Sequence, residues 1–182
     1  QNYEFTFETT LHNLTEEKLE IMMRYGVNRL SVGIQSFSDR GRVFYNRTYK
    51  KDEVKSRLQK LKTFFKGDVC VDIIYNFPDQ TLEEVIEDAR IVKELGLSSA
   101  SFYSLMVHEG SKLSKDIEGE KVKLEEDIKK DYMLYSHFVA EMLREEKYHI
   151  LELTKIAKNG GDNYQYIKVR NSGGCLLYTS DA

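Results

Sequence analysis

The sequence predicts an α/β fold built on a parallel sheet, and three features predict it. Four short apolar segments, residues 3–8, 29–36, 69–75 and 99–106, alternate with stretches whose apolar residues recur at helical spacing. Gly26, Gly67 and Gly96 each stand where a helix should stop, with a strand following within a few residues. Thr81 and Glu84 form a capping-box pattern in front of one helical stretch. Strand, helix, glycine, strand, repeated three times, is the signature of βαβ crossovers.

Each element has its own justification. In the first strand Tyr3, Phe5 and Phe7 share one parity, while Glu4, Thr6 and Glu8 share the other. In the second, Leu30, Val32 and Ile34 alternate with Arg29, Ser31, Gly33 and Gln35. The helix after it is marked by Val54, Leu58, Leu61 and Phe65. The third strand alternates Val69, Val71, Ile73 and Tyr75 with Cys70, Asp72, Ile74 and Asn76. Val85, Ile86, Ala89, Val92 and Leu95 mark the next helix, which leads into the fourth strand. A long amphipathic helix follows, with Leu124, Ile128, Tyr132, Tyr135, Phe138 and Met142 on one stripe. The run "EKVKLEEDIKK" before and within it reads as a solvated face with opposite charges three or four apart.

Parallel strands covered by helices are usually apolar on both faces. Here three strands pair an apolar, helix-facing row with a row that is polar or small. In a barrel that second row points inward. Glu8 and Gln35 fall at the C-terminal ends of their strands and Asp72 near the end of its own, the edge where parallel α/β folds gather their ligand sites. Such a row suits a ligand with hydroxyls and a cationic group, and it equally suits a structural polar layer. An ionised carboxylate buried without a partner costs several kcal/mol, roughly, so Asp72 among Val71, Ile73 and Ile74 needs something to hold.

Composition narrows the function classes. With 27 basic residues interleaved among 30 acidic ones, and a net charge of −3, a nucleic-acid surface is not expected. No apolar stretch reaches the length of a membrane span. Two cysteines, Cys70 and Cys175, give neither a disulfide framework nor metal-ligand spacing, so a reducing cytoplasm is the expected compartment. His12, His108, His137 and His149 have no ligand spacing either. The opening "QNYEFTFETT" already reads as a strand, as if at a cut edge, and "CLLYTSDA" at residues 175–182 reads as a non-native tail.

Five segments, "EFTFETTLHNLTEEKL", "GVNRLSVGIQSF", "NRTY", "VDIIYNFPDQT" and "SFYSLMVHEGSKL", resemble in order and spacing the radical S-adenosylmethionine (SAM) proteins of the oxygen-independent coproporphyrinogen III oxidase-like family. The likeness covers about residues 4–113. It implies a partial parallel (β/α) barrel of the radical SAM type, N-terminally truncated over residues 1–113, with a helical and C-terminal extension over 114–174. It further implies SAM bound at a 4Fe–4S cluster, one-electron cleavage to a 5′-deoxyadenosyl radical, and a tetrapyrrole substrate or haem. The electron would come from a reductase such as a flavodoxin or ferredoxin.

By position, Glu8, Gln35, Arg47 and Asp72 match the family's polar SAM contacts, with Arg47 suited to the methionyl carboxylate and Gln35 and Asp72 to the ribose hydroxyls. Ile74, Tyr103 and Met106 fall where the family lines its adenine pocket. The family's CxxxCxxC cluster loop is absent and is expected upstream of Gln1, which would leave this chain inactive by itself. Asn76 also stands where glycine is usual, and "ETTL" lacks the usual proline. After the long helix, Tyr164, Tyr166, Lys168 and Arg170 read first as an ordinary amphipathic strand and second, by resemblance to the family's haem-utilisation enzymes, as a tetrapyrrole contact. A haem chaperone of the same fold is the first rival to an enzyme. A metal-independent barrel enzyme is the second, and it would need a catalytic lysine inside a strand, which the four predicted strands lack.

Overall fold

The computed structural model describes residues 3–122 and 127–162. Strands β1 (Thr6–Thr9), β2 (Arg29–Gln35), β3 (Asp68–Tyr75) and β4 (Ser99–Ser104) lie side by side and parallel, as the alternation requires. The crossovers carry helices α1 (Glu16–Arg24), α2 (Asp39–Phe44) with α3 (Lys51–Phe64), and α4 (Leu82–Glu94). After β4 come α5 (Lys112–Glu118) and the long α6 (Ile128–Leu143). A hairpin of β5 (Tyr148–Glu152) and β6 (Lys155–Lys158) then adds antiparallel to β4, giving the order β1-β2-β3-β4-β6-β5. That antiparallel edge was not expected. Its turn, Leu153-Thr154, carries none of the Gly, Asn or Asp pairs that announce a hairpin.

The core forms where the helix-facing row meets the helices. Leu30, Val32, Val69, Val71 and Ile73 are buried together with Val54 and Leu58 of α3 and Val85, Ala89 and Val92 of α4. Burying each large aliphatic of this kind stabilises by about 1.5–3 kcal/mol. The capping box forms as the sequence requires: Thr81 Oγ1 accepts from the Glu84 amide at 3.3 Å and Glu84 Oε2 accepts from the Thr81 amide at 2.9 Å. Gly26 and Gly96 close α1 and α4 at positive φ, as helix-stopping glycines do. Gly67 does something else. The chain leaves α3 extended at Phe65, and a Cβ at Gly67 would lie 2.1 Å from the Asn28 carbonyl oxygen, so close backbone approach is what requires glycine there.

Two expected faces are corrected. Tyr3, Phe5 and Phe7 are not packed under a helix but are 60%, 41% and 41% exposed, because β1 is the edge of the described sheet. On α6 the buried residues are Leu134, Phe138 and Met142, whereas Ile128 and Tyr132 are 86% and 70% exposed. The first turn of α6 instead turns Asp131 inward, and Leu124 of the expected stripe lies outside the described residues. Asp131 accepts hydrogen bonds from Tyr75 Oη and Asn76 Nδ2, both at 3.0 Å, and from Ser104 Oγ, which fastens α6 to the C-terminal ends of β3 and β4. None of the described helices is long and apolar enough to cross a membrane.

Candidate functional site

Strand register builds the site in layers. Gly33, Asp72, Ser101 and Lys155 stand opposite one another across β2, β3, β4 and β6. Two residues earlier on the same face stand Ser31, Cys70 and Ser99. Two residues later stand Ile74 and Tyr103, opposite each other. This is the polar or small row read from the sequence, now extended by a lysine from the hairpin.

The N-terminal end of the row is filled by an ion pair. Arg29 donates through Nε to Asp162 Oδ1 at 2.9 Å and through Nη2 to Oδ2 at 3.0 Å, with both side chains buried. Ser99 Oγ donates to Asp162 Oδ2 at 2.5 Å and the Cys70 thiol at 3.2 Å. Burial by itself would raise the Asp162 carboxyl, but the Arg29 hydrogen bonds and charge override it and hold the group well below the usual carboxylate range. Burial pushes the Cys70 thiol up to about 12, against the pull of Arg29, so this cysteine packs as a neutral group.

Above this floor a cavity of about 410 Å³ is lined by Glu8, Gln35, Asp72, Ile74 and Tyr103, together with Arg29, Ser31, Ser101 and Lys155. Five of the seven residues singled out in the sequence therefore meet on one surface. Asp72 is half-buried and accepts one hydrogen bond, from Ser31 Oγ at 2.9 Å. Arg47 lines a neighbouring cavity of about 250 Å³ with Gly33, Ile34, Arg42 and Tyr49. Met106 lies beyond the end of β4, is 68% exposed and lines neither cavity.

Two polar atoms here are conspicuous. Gln35 Oε1 and Arg47 Nε are buried, and neither has a hydrogen-bond partner among the described residues. Buried polar groups are nearly always satisfied, and an orphan acceptor and an orphan donor beside the same strand end are what a bound polar ligand would complete. Arg42 is not available in this way: its Nη1 donates to the carbonyls of Ile34 at 3.2 Å and Ser36 at 2.9 Å, and its Nε to that of Tyr49. Burial, and then the nearby Arg47, push the Arg42 guanidinium pKa down.

The strand ends are bent to present these groups. Gln35 has φ +70° just past a register irregularity at Gly33/Gln35, and Asn76 has φ +68°. Asparagine enters the left-handed region more readily than other non-glycine residues, which explains how Asn76 replaces the expected glycine. Asp88 of α4, fully buried, accepts from the Phe37 amide at 3.0 Å and from Ser36 Oγ at 3.4 Å, so it holds the turn directly after Gln35.

Burial raises the Asp88 carboxyl to about 7, against those two hydrogen bonds. The native state thus keeps a proton that the unfolded chain gives up from about pH 4, and stability should fall as pH rises between about 4 and 7, by at most about 1.4 kcal/mol per pH unit from this group. In Asp88→Asn that part of the slope should vanish, as urea unfolding at several pH values would show. An unchanged slope would refute the assignment.

Lys155, Arg29, Asp162, Ser31 and Ser101 were not singled out as site residues from the sequence. The serines were visible as small residues on the polar parity. Lys155 was hidden by the unpredicted hairpin, and it qualifies the absence of strand lysines, which fails at β6. The four histidines lie on the surface, and no group of three or more His, Cys, Asp or Glu able to hold a metal occurs among the described residues. Tyr164, Tyr166, Lys168, Arg170 and the 175–182 segment fall outside them.

Comparison with known proteins gives a consistent family. Residues 1–92 match the family model described as the radical SAM superfamily. The chain is similar to the heme chaperone HemW of Lactococcus lactis subsp. lactis, 31% identical over 106 residues that cover 58% of this chain and 28% of the relative. Anaerobilin synthase of Escherichia coli O157:H7 is 29% identical over 115 residues, 63% of this chain and 26% of that protein. The chain thus spans little more than a quarter of the length of these curated relatives. The structure of coproporphyrinogen III oxidase from Escherichia coli superposes with a TM-score of 0.71 at 18% identity, over 93% of this chain and 38% of that one. The archaeal Methanocaldococcus infernus Elp3 follows at 0.63 and 15%, over 76% and 32%. These two likenesses establish the fold, a mostly parallel sheet of the partial-barrel type. With its family match extending over half its length, the chain belongs to the radical SAM superfamily.

Proposed function

We propose that this chain carries the SAM-binding face of a radical SAM protein that acts on, or hands over, a tetrapyrrole. The observation that carries the reading is the meeting of Glu8, Gln35, Asp72, Ile74 and Tyr103 on one cavity, with Arg47 beside it. Asp72 would accept from the ribose hydroxyls and Gln35 Oε1 would accept a further hydrogen bond. Arg47 would bind the methionyl carboxylate, and Ile74 with Tyr103 would cover the adenine. In the whole protein, a 4Fe–4S cluster held by ligands outside the described residues would supply one-electron chemistry to the bound SAM. Saturable binding of S-adenosylhomocysteine to the 182-residue chain in a calorimeter tests the reading. No binding at millimolar ligand would end it.

The described residues do not fit the cluster itself. Cys70 is buried inside β3, its thiol donates to Asp162, and it belongs to no group of three or more His, Cys, Asp or Glu among the described residues. We therefore place the cluster ligands outside the described residues. Anaerobic reconstitution of the chain with iron and sulfide should yield no specific cluster absorbance, and an appreciable stoichiometric signal would show the placement to be wrong. A second reading, a haem chaperone without redox turnover, draws on the similarity to proteins named heme chaperone. Haem transfer by the full-length protein without SAM consumption would select it.

A further inference from the structure

We propose that Asp131 of α6 is a positioning residue for the nucleoside end of the cavity: through Ser104 it sets where the Tyr103 ring stands beside Ile74. The inference rests on the SAM reading and adds to it a residue outside the cavity lining. Asp131 lies in the first turn of α6, where a helix N-terminus favours a carboxylate. It takes three neutral donors, Tyr75 Oη and Asn76 Nδ2 at 3.0 Å each and Ser104 Oγ. Hydrogen bonds to an ionised acceptor are roughly twice as strong as neutral ones, so this cluster is a firm link between α6 and the sheet.

Which donor depends on Asp131 follows from what else holds each of them. The buried Tyr75 ring stacks on Phe102 with centroids 4.2 Å apart. The Asn76 amide donates to Gln80 Oε1 at 2.5 Å, which ties that residue to its own loop. Ser104 is the last residue of β4, and β6 has left β4 before it. The antiparallel register runs from Ser99 to Ser101, with one further backbone bond from the Phe102 amide to the Thr154 carbonyl at 2.8 Å. The end of β4 therefore rests on β3 from one side, and the Asp131 carboxylate is its second hold. Alternation turns Ser104 toward α6 and its neighbour Tyr103 into the cavity, opposite Ile74. Ile74 is fixed independently, because its carbonyl accepts from the Oη of Tyr45, directly after α2, at 3.1 Å. Tyr103 is thus the adjustable half of the wall and is 41% exposed. Without Asp131 the end of β4 is free to shift and to carry the Tyr103 ring out of line with Ile74, and a purine laid across both loses part of its contact.

The test is a double-mutant cycle on S-adenosylhomocysteine affinity, measured by calorimetry on the 182-residue chain with circular dichroism to check each fold. Tyr103→Ala should bind about tenfold more weakly, the scale of one base–aromatic stack. Asp131→Ala should lose about fivefold, a part of that same contact. The two together should be no weaker than Tyr103→Ala alone, because effects that pass through one side chain do not add. A purely structural role for Asp131 would instead give the same loss whether or not the Tyr103 ring is present. Ser104→Ala cuts the link from its other end, should behave as Asp131→Ala does, and carries the cycle with Tyr103→Ala if Asp131→Ala fails to fold. Wild-type affinity in folded Asp131→Ala or in Ser104→Ala would overturn the inference, as would unchanged affinity in Tyr103→Ala or losses that add in full. Each of those results leaves wild-type binding, and with it the SAM reading, in place. Wild type that does not bind S-adenosylhomocysteine overturns both.

Discussion

Asp162→Ala is expected to cost unfolding free energy toward the lower end of the about 3–5 kcal/mol usual for breaking a buried ion pair, because Glu4 stays 4.0 Å from Arg29 Nε. The Arg29 guanidinium would lose both of its charge-assisted hydrogen bonds to that carboxylate, and Ser99 and Cys70 would lose their acceptor in the same layer. Against a typical total of about 5–15 kcal/mol for a domain, such a loss should move the urea midpoint far enough to be unmistakable. The pair itself need not be a net stabiliser. Arg29→Met combined with Asp162→Leu should recover most of the loss, because two apolar side chains leave no charge stranded. A loss below about 1 kcal/mol for Asp162→Ala would mean that the pair is effectively solvated. The pH dependence has the opposite sign to that of Asp88. The Asp162 carboxyl is depressed in the fold, so its stabilisation is present above the ordinary carboxylate pKa and is lost as pH falls below it.

Asp72→Ala is expected to abolish measurable S-adenosylhomocysteine binding while the fold persists. The side chain is half-buried and takes one hydrogen bond from the protein, from Ser31, so its removal leaves a small hydroxyl to be rehydrated rather than a stranded charge. Two ribose hydroxyls donating to a carboxylate are worth about 1.5–3 kcal/mol each, so the affinity should fall by well over tenfold. Asp72→Asn should fall between the two, keeping an acceptor and losing the charge. Unchanged binding in Asp72→Ala, with a normal melting curve, would remove Asp72 from the site and return the polar row to a purely structural role.

How much of this could be read from the sequence depends on how local each signal is. The four parallel strands, α3, α4 and the Thr81–Glu84 cap were legible because periodicity and capping act within a few residues. So was the inward row containing Gln35 and Asp72, since alternation in a strand fixes which side chains share a face. The exposed aromatics Tyr3 and Phe5 before β1 and Phe7 within it were misread because alternation says nothing about whether a helix covers the apolar side. On α6 the Tyr135, Phe138 and Met142 part of the stripe packs as read, but its first turns were misplaced because Ile128 and Tyr132 look like core residues, whereas the polar Asp131 makes the contacts. The hairpin was missed because its turn lacks marker residues. With it went Lys155 and Asp162, whose partners lie 54 and 133 residues away along the chain.

That longest separation sets an order of events during synthesis. A ribosome adds about 5–20 residues per second, so Asp162 emerges on the order of 10 s after Arg29. Throughout that interval Arg29 has Glu4 near it but not yet Asp162, and β4 lacks its outer neighbour. The parallel strands can pair early, but one wall and the floor of the cavity arrive only with the hairpin and the turn after it. Ligand binding is therefore a property the nascent chain cannot acquire before the hairpin has emerged.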